Sequence, residues 1–226
     1  MTYNFMTLVN DVNESLNEVA LTDVNFASAT GYYRDAKRAV NSSLRQINQH
    51  GVEWPFNHVK YELTTVVNQV RYAYPVDAKN VLFNTFRVRG DEDLNLLTGA
   101  LFPLDYEDYI QRYSDMEYAP DKYAGTPTTV FRTPSLEYGL LPPPDRVYSV
   151  DFEYMSIPLD LVNATDVPTV PEIFRHVIHD GAMYYAYMFR GDVDSAQLQE
   201  MKFKEGINKM VSIYINRYEY LRSTQR

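Results

Sequence analysis

At Trp54-Pro55-Phe56 the apolar residues of this chain change their period, and near Pro171 they change back. Before the first point and after the second they recur every three or four residues, which is helical spacing. Between the two they alternate, which is strand spacing. Pro55 ends a helix and forces its predecessor into extended backbone. A chain patterned this way folds as α+β. Its N- and C-terminal helices pack as a helical bundle, and the middle forms a lobe of antiparallel β-sheet and hairpins. The expected division is residues 1–56 with 168–226 as the helical domain, and 57–167 as a β-rich lobe with a short inserted helix near 104–116.

The first helix is predicted from Phe5 to about Val19, with Leu8, Val12, Leu16 and Val19 as its stripe. The second runs from about Phe26 to Gln49, with Tyr33, Ala36, Val40, Leu44 and Ile47 buried, and Gly51 follows as a terminator. From Lys60 to Tyr74 the alternation reads as a hairpin, and Leu82, Phe86 and Val88 as a further strand. Tyr106, Tyr109, Ile110 and Tyr113 mark a helix within Pro103–Met116. Two strands follow, Thr128–Arg132 and Leu136–Leu141. In Val147–Tyr154, Tyr148, Val150, Phe152 and Tyr154 face one way. Pro171 suits the first position of a helix reaching Arg190, and Phe174, Ile178, Ala182, Tyr185 and Phe189 with Val177, Tyr184 and Met188 predict burial over a wide arc. Gly191 ends it. Asp192 or Asp194 caps a last helix to about Leu221, with Phe203, Ile207, Met210, Tyr214, Tyr218 and Leu221 as its stripe.

Composition narrows what such a fold does. At 226 residues about 70–75% of the unfolded surface can be buried, and 45% apolar residues with 20 Tyr and 11 Phe supply the core. The absence of cysteine excludes disulfides, thiolate metal sites and Cys nucleophiles. The opening Met1-Thr2-Tyr3-Asn4-Phe5-Met6 lacks a basic region followed by an apolar run, so no secretory signal is expected. No apolar run of about 18 residues predicts a membrane span. A net charge of −9 argues against a general nucleic-acid binder. It is compatible with a conduit that DNA passes without sticking, and equally with an ordinary solvated acidic surface.

Four segments together carry a resemblance. The first runs from Ala36-Lys37-Arg38-Ala39-Val40-Asn41 through Arg45-Gln46-Ile47-Asn48-Gln49 to Trp54-Pro55-Phe56-Asn57-His58. The second is Gly125-Thr126-Pro127 ahead of a strand. The third is Leu141-Pro142-Pro143-Pro144-Asp145 leading into Tyr148. The fourth is Val170-Pro171-Glu172-Ile173-Phe174 through Ala182-Met183-Tyr184-Tyr185 to Gly191-Asp192. In this order and spacing they resemble the head-to-tail adaptors of short-tailed phages, the tail tubular protein A family of T7-like viruses. The resemblance implies a structural virion protein assembled in the host cytoplasm, not an enzyme. It implies a dodecameric ring that binds the portal protein on one face and the tail nozzle protein on the other, and extends the channel through which DNA passes during ejection. It implies no cofactor, catalytic residue or metal, and no membrane partner. The segment Asp91–Ala124 is longer than in the shortest members, and the resemblance gives it no role.

Several residues invite sharper readings. His176 and His179, with Asp180, share a helix face as a metal pair would, but no third ligand follows at a metal spacing, and surface or subunit-contact histidines explain them. Asp91, Glu92 and Asp93, and Asp105, Glu107 and Asp108, are carboxylate clusters of the kind a tail-associated polysaccharide hydrolase would use. A solvated loop and an acid-rich helix N-terminus explain the same residues. Trp54, Pro55 and Phe56 form either a structural anchor, locking the second helix onto the sheet lobe, or a contact with a neighbouring subunit. Tyr218, Leu221, Arg222 and Arg226 are the candidate portal-docking residues. There the apolar stripe runs out into a basic end on an acidic chain, although basic residues also suit a helix C-terminus. Besides the hydrolase, the alternative to an adaptor is another ring component such as a stopper.

Overall fold

The computed structural model describes residues 3–89 and 99–215. The chain divides into two compact units, Met1–Asn57 with Ile157–Arg226, and His58–Ser156. The first opens with α1 (Phe5–Ser15), the single turn α2 (Asp23–Phe26), α3 (Tyr32–Asn48) and a 3-10 turn at Pro55–Asn57. The second runs through β1 (His58–Thr64), β2 (Arg71–Ala73), β3 (Ala78–Arg89), β4 (Gly99–Ala100) and β5 (Phe102–Leu104). Three short helices follow, α4 (Tyr106–Arg112), α5 (Asp115–Tyr118) and α6 (Pro120–Tyr123), then β6 (Thr129–Arg132), β7 (Glu137–Leu141) and β8 (Ser149–Ser156). The chain re-enters the first unit and finishes with α7 (Arg175–Arg190) and α8 (Val193–Tyr214). Helix dominates over strand, and the fold is α+β.

In the helical unit local chemistry sets the helix ends. Asn4 accepts from the Thr7 N–H at 2.9 Å, and Thr7 Oγ1 accepts from the Asn4 N–H at 3.1 Å, a reciprocal cap on α1. At its other end Asn17 turns left-handed at φ 57°. The Glu18 and Asn17 amides then close on the carbonyls of Asn13 (2.8 Å) and Glu14 (3.1 Å). This stops α1 at Ser15 rather than at the expected Val19, which is 74% exposed. The second expected helix is also shorter. Gly31 at φ 60° separates α2 from α3, so the helix starts at Tyr32 and not at Phe26.

Helices α3, α7 and α8 meet at Gly181. A Cβ there would lie 2.3 Å from Ser43 Oγ and 2.6 Å from the Phe203 ring. The Ser43 hydroxyl donates to the Ile178 carbonyl at 2.9 Å, joining α3 to α7. Arg175 clasps Asp11 with two bonds of 2.6 and 2.7 Å, joining α7 to α1. The buried face of α7 is Val177, Ile178, Gly181, Ala182, Met183 and Ala186. It is narrower than expected: Met188 and Phe189, near the end of the helix, are exposed. Gly191, at φ 77°, ends α7, and the Asp192 amide bonds back to Tyr187 at 3.0 Å. The Asp192 carboxylate meanwhile caps α8 by accepting from the Ser195 N–H at 3.1 Å.

The β unit is built on two four-stranded sheets, in the orders β1-β8-β3-β4 and β2-β7-β6-β5. Their neighbours pair antiparallel except β5 with β6, which are parallel. The sheets share one core. Phe86 stacks on Phe152 at 4.4 Å, and Tyr138 from the second sheet meets both rings edge-on at 5.1 and 5.3 Å. The other face of the second sheet is covered by α4, where Tyr109 stacks on Phe131 at 3.8 Å. Full burial of such a side chain is worth roughly 1.5–3 kcal/mol.

Two expectations fail here for identifiable reasons. Lys60 to Tyr74 is not a hairpin. β1 pairs along its length with β8, from His58↔Met155 to Thr64↔Ser149, while β2 pairs with β7. Residues 65–70 carry the chain from one sheet to the other, turning at Asn68 (φ 63°). Consecutive strands do form a hairpin at β6–β7. The boundary expected at 167/168 falls at 156/157, because Ile157–Pro168 is bonded into the helical unit. The Phe5 amide donates to Asp166 O at 2.8 Å, and Asn41 exchanges two bonds with the Leu161 backbone.

Candidate functional site

Trp54 is 1% exposed. Pro55 turns the backbone so that the indole N–H reaches the Ile47 carbonyl at 2.7 Å. The ring stacks on Phe56 at 5.4 Å, Phe56 meets Tyr214 at 5.7 Å, and Tyr214 meets Phe174 at 5.6 Å. This aromatic row ties α3 to the end of α8. It belongs to the core of the helical unit and not to that of the sheets. Buried this fully, Trp54 presents almost nothing to a neighbour. Of the proposed portal-docking residues, Tyr218, Leu221, Arg222 and Arg226 all lie outside the described residues.

His176 and His179 line an open cleft with Asp11, Glu14, Ser15, Ile173 and Arg175. His179 Nε2 lies 2.9 Å from Ser15 Oγ, and its Nδ1 lies 3.9 Å from Asp180. Asp11 is held by Arg175. Among the described residues no group of three or more His, Asp or Glu is arranged to hold a metal ion. Asp105 stands at the N-cap position of α4, with Glu107 and Asp108 in its first turn, and Asp108 is 3.7 Å from Arg112. Asp91, Glu92 and Asp93 are outside the described residues.

In the β unit Arg71, Glu117 and Tyr109 form a network that sequence reading missed. Arg71 reaches Glu117 at 2.7 and 3.0 Å, and the Tyr109 hydroxyl donates to the same carboxylate. Burial pushes the Glu117 carboxyl up, but the bonds from Arg71 and Tyr109 outweigh it and hold the group below its ordinary value. Burial, then the adjacent Glu117, pushes Tyr109 up to about 12. The network ties α4 and α5 to β2. No local signal marks it, since Arg71 and Glu117 are far apart in sequence. Across the outward face of the first sheet the polar side chains pair among themselves: His58 with Glu153 (3.1 Å), Lys60 with Asp151 (3.5 Å), and Arg89 with both Asp151 (2.6 Å) and Glu62 (3.7 Å).

Two apolar features stand apart from this charged surface. At the tip of the β6–β7 hairpin, Leu136 is 68% exposed and held at φ 58°. Its carbonyl accepts from the Tyr74 N–H at 3.3 Å, which brings in the adjacent turn carrying Val76, 98% exposed. At the opposite end of the same hairpin lies a cleft of about 280 Å³, lined by Leu104, Tyr113, Met116, Leu141, Pro142 and the threonines 128 and 129. Sequence reading put Leu136 inside a strand. The signal that would have singled it out is Pro134-Ser135, a turn followed by leucine where glycine or asparagine is usual.

The described residues thus offer closed cores, paired charges and small exposed apolar features, the equipment of a structural assembly protein. A family model described as SU10 adaptor protein matches residues 3–225, nearly the whole chain, and the chain belongs to that family. It is a phage head-to-tail adaptor, a structural component of the virion that interacts with other head and tail components. No curated protein matches the chain. Among the described residues no helix is long and apolar enough to cross a membrane.

Proposed function

We propose that this adaptor assembles as a ring, a dodecamer, that joins the portal protein to the tail nozzle protein and extends the DNA channel. The observation that supports it most is the membership of nearly the whole chain in an adaptor family. Both units close their own cores, so the chain can fold before it meets a partner, and its exposed apolar groups remain for assembly. Tyr218, Leu221, Arg222 and Arg226 are the proposed portal-docking residues. Trp54, Pro55 and Phe56 are a structural anchor rather than a subunit contact. In this reading the protein is not an enzyme and needs no cofactor or metal. With a net charge of −9 it passes DNA through its lumen without specific binding, and it is built in the host cytoplasm before joining the virion.

Electron microscopy of the pure chain mixed with its portal tests this. A ring capping the portal is expected. A ring that binds a different virion ring would make the chain a stopper, and clearing of host polysaccharide without ring formation would make it a hydrolase.

A further inference from the structure

The geometry points to a specific subunit contact: the Leu136–Val76 tip of one copy inserts into the Leu104–Tyr113–Met116–Leu141–Pro142 cleft of the next copy. The inference rests on the ring reading above and names the surface that would build it.

Both halves of the contact are on one chain, at opposite ends of one hairpin. Thr129 and Leu141, a registered pair at the base, line the cleft. From Thr129 the strand β6 runs to Arg132 before the tip begins, three rises that separate the pair from the tip by at least about 10 Å. The tip therefore cannot fill its own cleft. A knob and a hole at two different places on one chain give a head-to-tail contact, which propagates from copy to copy and closes into a ring when the rotation permits.

Size and chemistry agree. The cleft of about 280 Å³ is small for a ligand site. By liquid volume it has room for roughly nine waters, a space suited to the ends of one leucine and one valine. Its lining combines five apolar or aromatic residues with Thr128 and Thr129, and the paired side chains of the first sheet are not part of it.

The backbone supplies an independent observation. Among the described residues the other non-glycine residues at positive φ are Asn17 and Asn68, which tolerate it, whereas Leu136 is a bulky residue with its side chain mostly in solvent. Its conformation is held from both sides. The Thr133 amide and hydroxyl both donate to the Glu137 carbonyl, at 3.1 and 3.0 Å, and the Ser135 hydroxyl donates to the Glu137 carboxylate at 3.0 Å. A strained leucine that stays 68% exposed on its own chain is accounted for by what it presents to a partner.

Area explains why the contact need not hold two free copies together. Stable interfaces bury about 1,200–2,000 Å², and two aliphatic side chains entering a small cleft bury far less. The contact adds up in a closed ring, where every copy both gives a tip and receives one on a portal that fixes the spacing.

The chain has no cysteine, so an introduced pair is unambiguous. With Leu136→Cys and Met116→Cys in one chain, oxidation on the portal is expected to give a ladder of covalent oligomers reaching ring size. Either change alone should give none. Leu136→Gly relieves the backbone, so its melting temperature should match or exceed the parent's. It should nevertheless need at least tenfold more protein to complete rings, and Leu136→Met should restore assembly. Rings that form without a ladder from the double variant would overturn the contact and leave the ring reading standing, as would Leu136→Gly rings at parental concentration. Protection of Cys-substituted position 136 from thiol reagents only when nozzle protein is added would assign the tip to the nozzle instead. If the parental chain forms no ring on its portal, the ring reading fails and the contact fails with it.

Discussion

The Phe131 ring lies over Gly139, its partner in the β6–β7 register, so closely that a Cβ on Gly139 would stand 2.0 Å from the ring's Cζ. The other side of Phe131 stacks on Tyr109. Gly139→Ala should therefore force the ring out of its stack and destabilise the β unit by about 1–3 kcal/mol, the usual cost of overpacking. Thermal melts check this, and combining Gly139→Ala with Phe131→Leu should recover part of the loss. A single Gly139→Ala variant that melts with the parent would mean that the sheet can open at no cost.

Trp54→Ala removes the buried end of an aromatic row and leaves the Ile47 carbonyl without its indole donor. Loss of a buried aromatic costs about 3–5 kcal/mol, against a typical total of about 5–15 kcal/mol. The variant should be strongly thermolabile in calorimetry. A melting temperature within a degree or two of the parent's would contradict the anchor.

Glu117 and Tyr109 make opposite pH predictions. The carboxyl of Glu117 is held below its ordinary value. Its contribution is therefore present above the unfolded carboxylate value of about 4.3, and is lost as pH falls through the folded one. Glu117→Gln should be less stable than the parent near neutrality and converge with it in acid. Tyr109 is pushed up to about 12, so its contribution is present below the unfolded value of about 10 and is lost as pH rises through the folded one. The gap between parent and Tyr109→Phe should narrow over that alkaline window. Denaturant melts across pH decide both, and curves that stay parallel would rule out the linkage.

Changing Asp91, Glu92 and Asp93 together to Asn, Gln and Asn should leave particle assembly intact. If purified protein degrades a host polysaccharide and this triple change abolishes the activity, the protein is a hydrolase.

Deleting Ser223–Arg226 and neutralising Arg222 should leave the circular dichroism melt nearly unchanged. Portal binding should weaken and lose part of its salt dependence, because charge-assisted contacts are screened by salt. A truncated chain that caps portals with parental affinity at every salt concentration would move the docking surface elsewhere.

Periodicity was legible wherever one face of an element is buried. Ala36, Val40, Leu44 and Ile47 of α3, and Tyr148, Val150, Phe152 and Tyr154 in and beside β8, are all buried as their spacing requires. What alternation does not carry is the identity of a strand's partner. β1 looks like half of a hairpin, yet its partner β8 comes from the far end of the lobe. Helix length is hidden for a similar reason. Val19 continues the α1 stripe, but the left-handed turn at Asn17 removes it from the helix. The Arg71–Glu117–Tyr109 network is invisible to pattern because Arg71 is far in sequence from the other two and meets them only through the tertiary fold. The Leu136 tip shows only in the turn chemistry of Pro134-Ser135, which periodicity does not read.

The division of the chain also sets an order of events on the ribosome. Residues 58–156 are contiguous, whereas the helical unit needs partners from both sides of them. At the usual elongation rate of about 5–20 residues per second, the apolar faces of α1 and α3 wait about 8–33 s for α7 and α8 to be made. The β lobe can be complete in that interval, while the first helices remain clients for chaperones and targets for proteases. A messenger cut within the α7 codons would therefore yield a folded lobe on an unfolded leash.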